Sequence, residues 1–225
     1  MAPAGTTETV RIEVGRGSVE GDLHLPARPA GLVIFAHGSG SSRFSRRNRA
    51  VAGMLEQAGF GTLLLDLLTP AEDAVDEHTA EYRFDIPLLG QRVIGAVDWA
   101  ESRSDLRPLP LALFGASTGA AAALVAAALR PKRTRAVISR GGRPDLAGHA
   151  LSQVEAPTLL IVGANDPQVI AMNRDALRRM RETATMEIVP GATHLFEEPG
   201  ALEQVARLAV DWCRRHLGEG AAAGG

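Results

Sequence analysis

The chain opens with two stretches in which polar and apolar positions alternate. Residues 9–14 read Thr-Val-Arg-Ile-Glu-Val, residues 18–25 repeat the alternation, and Gly15-Arg16-Gly17 stands between them. A period of two sends neighbouring side chains to opposite faces, so this pattern predicts an antiparallel hairpin with one face buried. From residue 32 the pattern changes. Short runs that are apolar at nearly every position occur at 32–36, 60–65, 109–114, 136–139, 158–162 and 186–189. Strands of that kind are buried on both faces and belong in a parallel sheet covered by helices.

Helical periodicity fills the gaps between these runs. Residues 48–58 place Val51, Met54, Leu55 and Ala58 on one stripe, and Gly59 follows as a stop signal. Residues 87–101 carry Leu88, Val93, Val97 and Ala100, with Pro87 suited to a first turn. Residues 118–129 are alanine-rich and read as a buried helix, and 169–181 and 201–217 complete the set. The last has an apolar face of Leu202, Val205, Leu208, Ala209 and Trp212. The expected fold is a doubly wound, mostly parallel α/β sheet with an N-terminal antiparallel hairpin and no large cap domain. One domain over residues 1–217 is expected, with a disordered Gly/Ala tail at 218–225. Residues 67–86, which carry Glu72, Asp73, Asp76, Glu77 and Glu81, are expected as an acidic connection, either a mobile loop near the site or a plain solvated link.

Composition narrows this picture without changing it. The 225 residues are 45% hydrophobic and 22% charged, ordinary for a globular protein. A net charge of −2 gives no footprint for nucleic acid. With one cysteine, Cys213, no internal disulfide can form, and a reducing compartment is the simpler expectation. Residues 1–10 lack the charged start and apolar core of a signal peptide, and no apolar run is long enough to span a bilayer. A cytoplasmic protein acting on a small molecule is expected, away from membranes; the sequence says nothing of oligomeric state.

In doubly wound sheets the chemistry sits in loops at the carboxyl ends of the strands. Gly115-Ala116-Ser117-Thr118-Gly119 occupies such a place, directly after the run 109–114 and before the alanine-rich helix. It matches G-x-S-x-G, in which a sharp strand-to-helix turn presents a serine hydroxyl above the sheet. His194 follows in the loop after the last strand and is the expected general base. Asp166, in Gly163-Ala164-Asn165-Asp166-Pro167 after the run 158–162, is the expected acid, with Asp145 as its competitor. The order Ser, Asp, His is that of α/β-hydrolases. Acyl transfer also needs two backbone N–H groups aimed at the developing oxyanion. One is expected from Thr118 and the other from Ser39 in His37-Gly38-Ser39-Gly40, with Gly40 as the alternative and His37 as a structural support. The scattered histidines offer no metal-ligand spacing, and no cofactor is expected.

At these residues the chain resembles the dienelactone hydrolase family of α/β-hydrolases. The resemblance rests on Phe35-Ala-His-Gly-Ser-Gly-Ser-Ser-Arg43, the Gly115–Gly119 elbow, and Ser139-Arg-Gly-Gly-Arg-Pro-Asp-Leu146. It implies the hydrolase fold and a triad. Some relatives are fused to a phosphoribosyltransferase domain that these 225 residues do not contain. Dienelactone hydrolases proper carry a cysteine in the elbow; a serine there fits a more general carboxylic-ester hydrolase. The expected function is hydrolysis of small carboxylic esters by Ser117, His194 and Asp166 through an acyl-enzyme. The alternatives are thioester, lactone or amide substrates for the same triad, or a silent binding module. Arg43, Arg46, Arg47, Arg140 and Arg143 lie near the catalytic edge. Of these, Arg43, Arg140 and Arg143 are candidates for gripping a substrate carboxylate or phosphate. Salt bridges to the acidic stretch are the competing expectation.

Overall fold

The structure is a computed structural model that describes residues 5–15, 17–180 and 182–218. Strands β1 (Thr6–Val14) and β2 (Gly17–Leu25) form the expected hairpin, with Val10, Ile12 and Val14 buried at alternate positions. Gly15 takes a left-handed φ of +63° at the turn. Six parallel strands follow: β3 (Leu32–Ala36), β4 (Gly61–Leu65), β5 (Leu111–Ala116), β6 (Thr134–Arg140), β7 (Thr158–Gly163) and β8 (Ala184–Val189). All eight belong to one sheet in the order β1-β2-β4-β3-β5-β6-β7-β8, with β2 antiparallel to β4. Every residue of β3, β4, β5 and β7 is buried, which is why these strands read as unbroken apolar runs. The edge strand β8 alternates instead.

Two cores flank the sheet. On one face α1 (Arg46–Gln57) and α6 (Ala201–Leu217) cover Phe35, Phe114, Ile138 and Ile161. On the other, α3 (Ile86–Ser102) and α4 (Thr118–Leu129) cover Ile34, Leu113 and Val137. All the alanines of α4 except the half-buried Ala128 are buried, and small side chains let this helix lie close against the strands. Helix α5 (Pro167–Arg179) packs near β7 and β8. The expected tail falls outside the described residues apart from Gly218.

The connection 67–86 departs from the loop reading. It contains α2 (Pro70–Thr79), opened by a complete capping box in which Thr69 and Glu72 satisfy one another's backbone amides. Asp76 is buried at 2% exposure. It accepts bonds from the amides of Tyr82 (2.7 Å) and Arg83 (2.9 Å) and pairs with Arg83 Nε at 2.7 Å. A second element outside the sequence reading is a 3-10 segment, Pro144–Gln153, after β6.

Candidate active site

Ser117 is the hinge between β5 and α4, and its backbone shows what the turn demands. Its φ of +51° and ψ of −121° are strained for a residue with a Cβ. The strain persists because the backbone is held on both sides. Ser117 N donates to Arg140 O at 3.2 Å, while Ser117 O accepts from Ala120 N and Arg143 N, each at 3.1 Å. The flanking glycines are steric requirements. A Cβ on Gly119 would run into the carbonyl oxygens of Ala36 and His37, and one on Gly115 into the backbone of Ala120.

His194 and Asp166 come together from the next loops of the sheet. His194 Nδ1 lies 2.8 Å from Asp166 Oδ2, with the carboxylate largely buried. Asp166 Oδ1 accepts from Val169 N at 3.3 Å, so one carboxylate caps α5 and holds the histidine with different oxygens. The two loops are joined by Asn165 N to Ala192 O (2.9 Å) and Asn165 Nδ2 to Gly191 O (2.9 Å). Asp145 is engaged elsewhere: it takes both Nε (2.9 Å) and Nη2 (2.7 Å) of Arg143. The His194 ring lies against the turn that holds the serine, since a Cβ on Gly141 would be 3.5 Å from His194 Cε1. Among the described residues no hydrogen bond joins the Ser117 hydroxyl to the ring; such bonds commonly tighten only when substrate is bound.

The loop after β3 approaches the nucleophile by its backbone. A Cβ on Gly38 would sit 3.2 Å from Ser117 Cβ, so only glycine allows this contact without displacement. Ser39, Gly40 and Thr118 line one cleft of about 510 Å³, together with Leu67, Leu89 and Arg83. His37 supports the loop, as its position suggested. Nδ1 is 2.8 Å from Gly38 O, and Nε2 accepts from Leu67 N at 3.1 Å. That pattern requires the neutral ring with its proton on Nδ1. Burial lowers the His37 pKa below 6.5, against weaker opposing effects of the Gly38 bond and of Asp66. The unfolded chain therefore binds the extra proton first, and stability is expected to fall as pH drops from about 6.5 toward the lower folded value. Urea midpoints at pH 7.5 and 5.5 test this: a His37→Gln variant should show a smaller loss than wild type, and an equal loss would disprove the assignment.

The arginines separate into paired and unpaired. Arg43 donates to Asp66 and to Glu20 (2.6 Å) and lies 3.4 Å from Asp22, and Arg143 is held by Asp145. Salt bridges thus occupy both, though their partners lie outside the 67–86 stretch. Arg47 pairs with Glu197 at 2.8 Å, and Arg46 is exposed. Arg140 differs: it is 7% exposed, and Nη2 donates to Asn48 Oδ1 at 3.0 Å. Asn48 escaped the sequence reading, since nothing in a polar residue of a first helical turn announces burial. The same holds for the Asp76–Arg83 pair, which carries Arg83 Nη1 to within 3.5 Å of where a Gly40 Cβ would stand. Cys213 lies on α6, and burial pushes its thiol up to about 12, which keeps it protonated and inert.

Comparison with known proteins agrees with the fold. Residues 20–216 match the model of the dienelactone hydrolase family. A solved dienelactone hydrolase from Anabaena variabilis is 53% identical, with a TM-score of 0.92 over 94% of this chain and 98% of that one. Est1E from Butyrivibrio proteoclasticus, at 16% identity and a TM-score of 0.77 over 93% of this chain and 98% of its own, shares the fold. A Mycobacterium tuberculosis protein that bears the name of a phosphoribosyl transferase is 54% identical over 210 residues. Those residues are 93% of this chain but 46% of that protein, so the chain spans about half the relative's length.

Proposed function

Because the chain belongs to the dienelactone hydrolase family and is a hydrolase by that membership, we propose that it cleaves small carboxylic esters with Ser117, His194 and Asp166. The observation that carries this reading is the strained Ser117 at the strand–helix turn, beside a His194–Asp166 pair 2.8 Å apart on the neighbouring loops. In the reaction His194 Nε2 takes the hydroxyl proton as Ser117 Oγ attacks the ester carbonyl. Asp166 fixes the tautomer with the proton on Nδ1 and stabilises the imidazolium. The backbone amides of Thr118 and Ser39 receive the oxyanion, helped by the positive end of α4. Collapse of the tetrahedral intermediate expels the alcohol, which takes its proton from His194. Water activated by the same histidine then hydrolyses the acyl-enzyme.

The serine elbow, with Cys213 buried on α6, supports general esters over a thiolate mechanism. The transferase name of the M. tuberculosis relative belongs to a chain about twice as long. The stretch shared with it overlaps the hydrolase match almost throughout, so the name adds no transferase reading here. A fluorophosphonate probe tests the proposal, because it phosphonylates only an activated serine. Mass spectrometry should find one adduct, on the peptide containing Ser117, with nitrophenyl acetate turnover lost in proportion. An unlabelled Ser117 in a folded protein would refute the reading.

A further inference from the structure

Two deeply buried arginines of this chain have contrasting surroundings. Arg92 is 7% exposed and is neutralised by Glu72 at 2.5 Å, with Val14 O as a second acceptor at 3.0 Å. Arg140 is equally buried, yet among the described residues no carboxylate lies within 4.0 Å of it. Asn48 Oδ1 takes Nη2 and Nη1 meets no acceptor; Nε is buried without a partner in both arginines, so the contrast lies in the carboxylate that Arg140 lacks. A buried charge without a counter-charge is strongly disfavoured, and burial together with Arg47 lowers the Arg140 pKa to about 10. Among the described residues this cation therefore has no neutralising group.

The surroundings of Arg140 repeat the anomaly. Its Nη2 reaches the third residue of α1, and the first turn of that helix holds Arg46 and Arg47 and no acidic residue. Cations at a helix N-terminus oppose the macrodipole, so this arrangement is the reverse of the usual one. Ser45 caps the amide of Asn48 only, while the amides of Arg46 and Arg47 have no intrahelical acceptor. The position is also catalytic in place. Arg140 O holds Ser117 N, Glu197 ties Arg47 to the loop three residues beyond His194, and Ser45 lines the cleft with Ser39 and Thr118.

We propose that Arg140, Arg47 and the first-turn amides of α1 form an anion subsite beside the cleft, behind the Ser45 cap that lines it, and that this subsite takes the phosphate of a phosphorylated ester substrate. This rests on the ester-hydrolase reading and names its substrate class. Charge selects phosphate over carboxylate. Glu197 offsets Arg47, leaving Arg140, Arg46 and the partial positive charge of the helix end, which suits a dianion better than a monoanion. A tetrahedral phosphate can accept from guanidinium and amide donors together. Arg43 and Arg143 do not join: Arg43 is enclosed by Glu20, Asp22 and Asp66 and Arg143 is gripped by both oxygens of Asp145, whereas Arg47 meets a single oxygen of the exposed Glu197.

The test compares kcat/KM at fixed ionic strength for 2-acetoxyethyl phosphate, its neutral alcohol counterpart and 3-acetoxypropanoate. Wild type should favour the phosphate ester about 10- to 100-fold over the neutral one, as charge-assisted hydrogen bonds allow. Arg140→Gln should collapse that ratio and Arg140→Lys restore part of it. Arg47→Ala, at a half-buried position, should also lower the ratio and covers the case in which Arg140→Gln fails to fold. Equal rates on all three esters, a preference for the carboxylate, or an unchanged ratio in the variants would overturn the subsite. Calorimetry of inorganic phosphate with Ser117→Ala protein separates it from the hydrolase reading. Binding that weakens at least tenfold on adding Arg140→Gln supports the subsite even if no ester is turned over, and absence of binding to a folded protein refutes it.

Discussion

Ser117→Ala is expected to lower kcat for a short-chain nitrophenyl ester by about 10⁴- to 10⁶-fold while the protein stays folded. The size of the effect follows from the chemistry: without Oγ no acyl-enzyme can form, and only substrate binding and the oxyanion donors remain. The fold should tolerate the change. The hydroxyl caps no helix, since α4 begins without a side-chain cap bond, and the strained backbone is held by Arg140 O, Ala120 N and Arg143 N, whatever the side chain. Stability should shift by no more than about 0.5 kcal/mol, as for substitutions that break no buried contact. Steady-state kinetics beside a thermal melt decide the matter. A variant that keeps wild-type turnover would remove Ser117 from the mechanism, and a variant that unfolds would show that the elbow depends on the hydroxyl in a way its bonds do not reveal.

Asp166→Asn should cost about 10⁴-fold in kcat, with most of the stability kept. Asparagine caps helices as well as aspartate, so α5 retains its start. The loss falls on His194: an amide N–H facing Nδ1 selects the tautomer with its proton on Nε2, which cannot accept from serine, and the carboxylate that stabilises the imidazolium is gone. Asp166→Ala would lose the cap too, adding about 1 kcal/mol of destabilisation. Asp145→Asn is the control, because Asp145 binds Arg143 and makes no contact with the histidine. A pH–rate profile for each variant separates tautomer loss from misfolding. If Asp145→Asn proved as damaging as Asp166→Asn, the assignment of the acid would fail.

Much of this molecule was legible from local pattern. Strands buried on both faces must be apolar throughout, so β3, β4, β5 and β7 announced a parallel sheet, and the hairpin showed its single buried face by alternation. Boundaries moved by a few residues: β5 runs on through Gly115 and Ala116, and β6 begins at Thr134 and includes Arg140. Helix α2 has no apolar stripe to announce it; its one large apolar side chain, Val75, is 42% exposed. Its start signal was nevertheless in the chain, as Thr69-Pro70-Ala71-Glu72 spells a capping box with proline in the first turn.

The candidate chemistry divides in the same way. Ser117, Asp166 and His194 were recognisable one at a time, since each follows a strand and the fold class says where reactive loops lie. The order along the chain favoured Asp166 over Asp145 as the partner of His194, and the contact itself is made by the zipped loops 163–166 and 190–194, which bring Asp166 within 2.8 Å. The arginines show the limit most plainly. Arg43, Arg140 and Arg143 look alike in sequence, yet two face carboxylates and one is buried without any. Periodicity and strand ends therefore determined the fold and the placement of the reactive loops, because short-range sterics and burial act along the chain. Long-range charge pairing was decided by tertiary structure, because Coulombic partners are chosen by distance in space, and residues as far apart as Arg47 and Glu197 meet only after the sheet has formed.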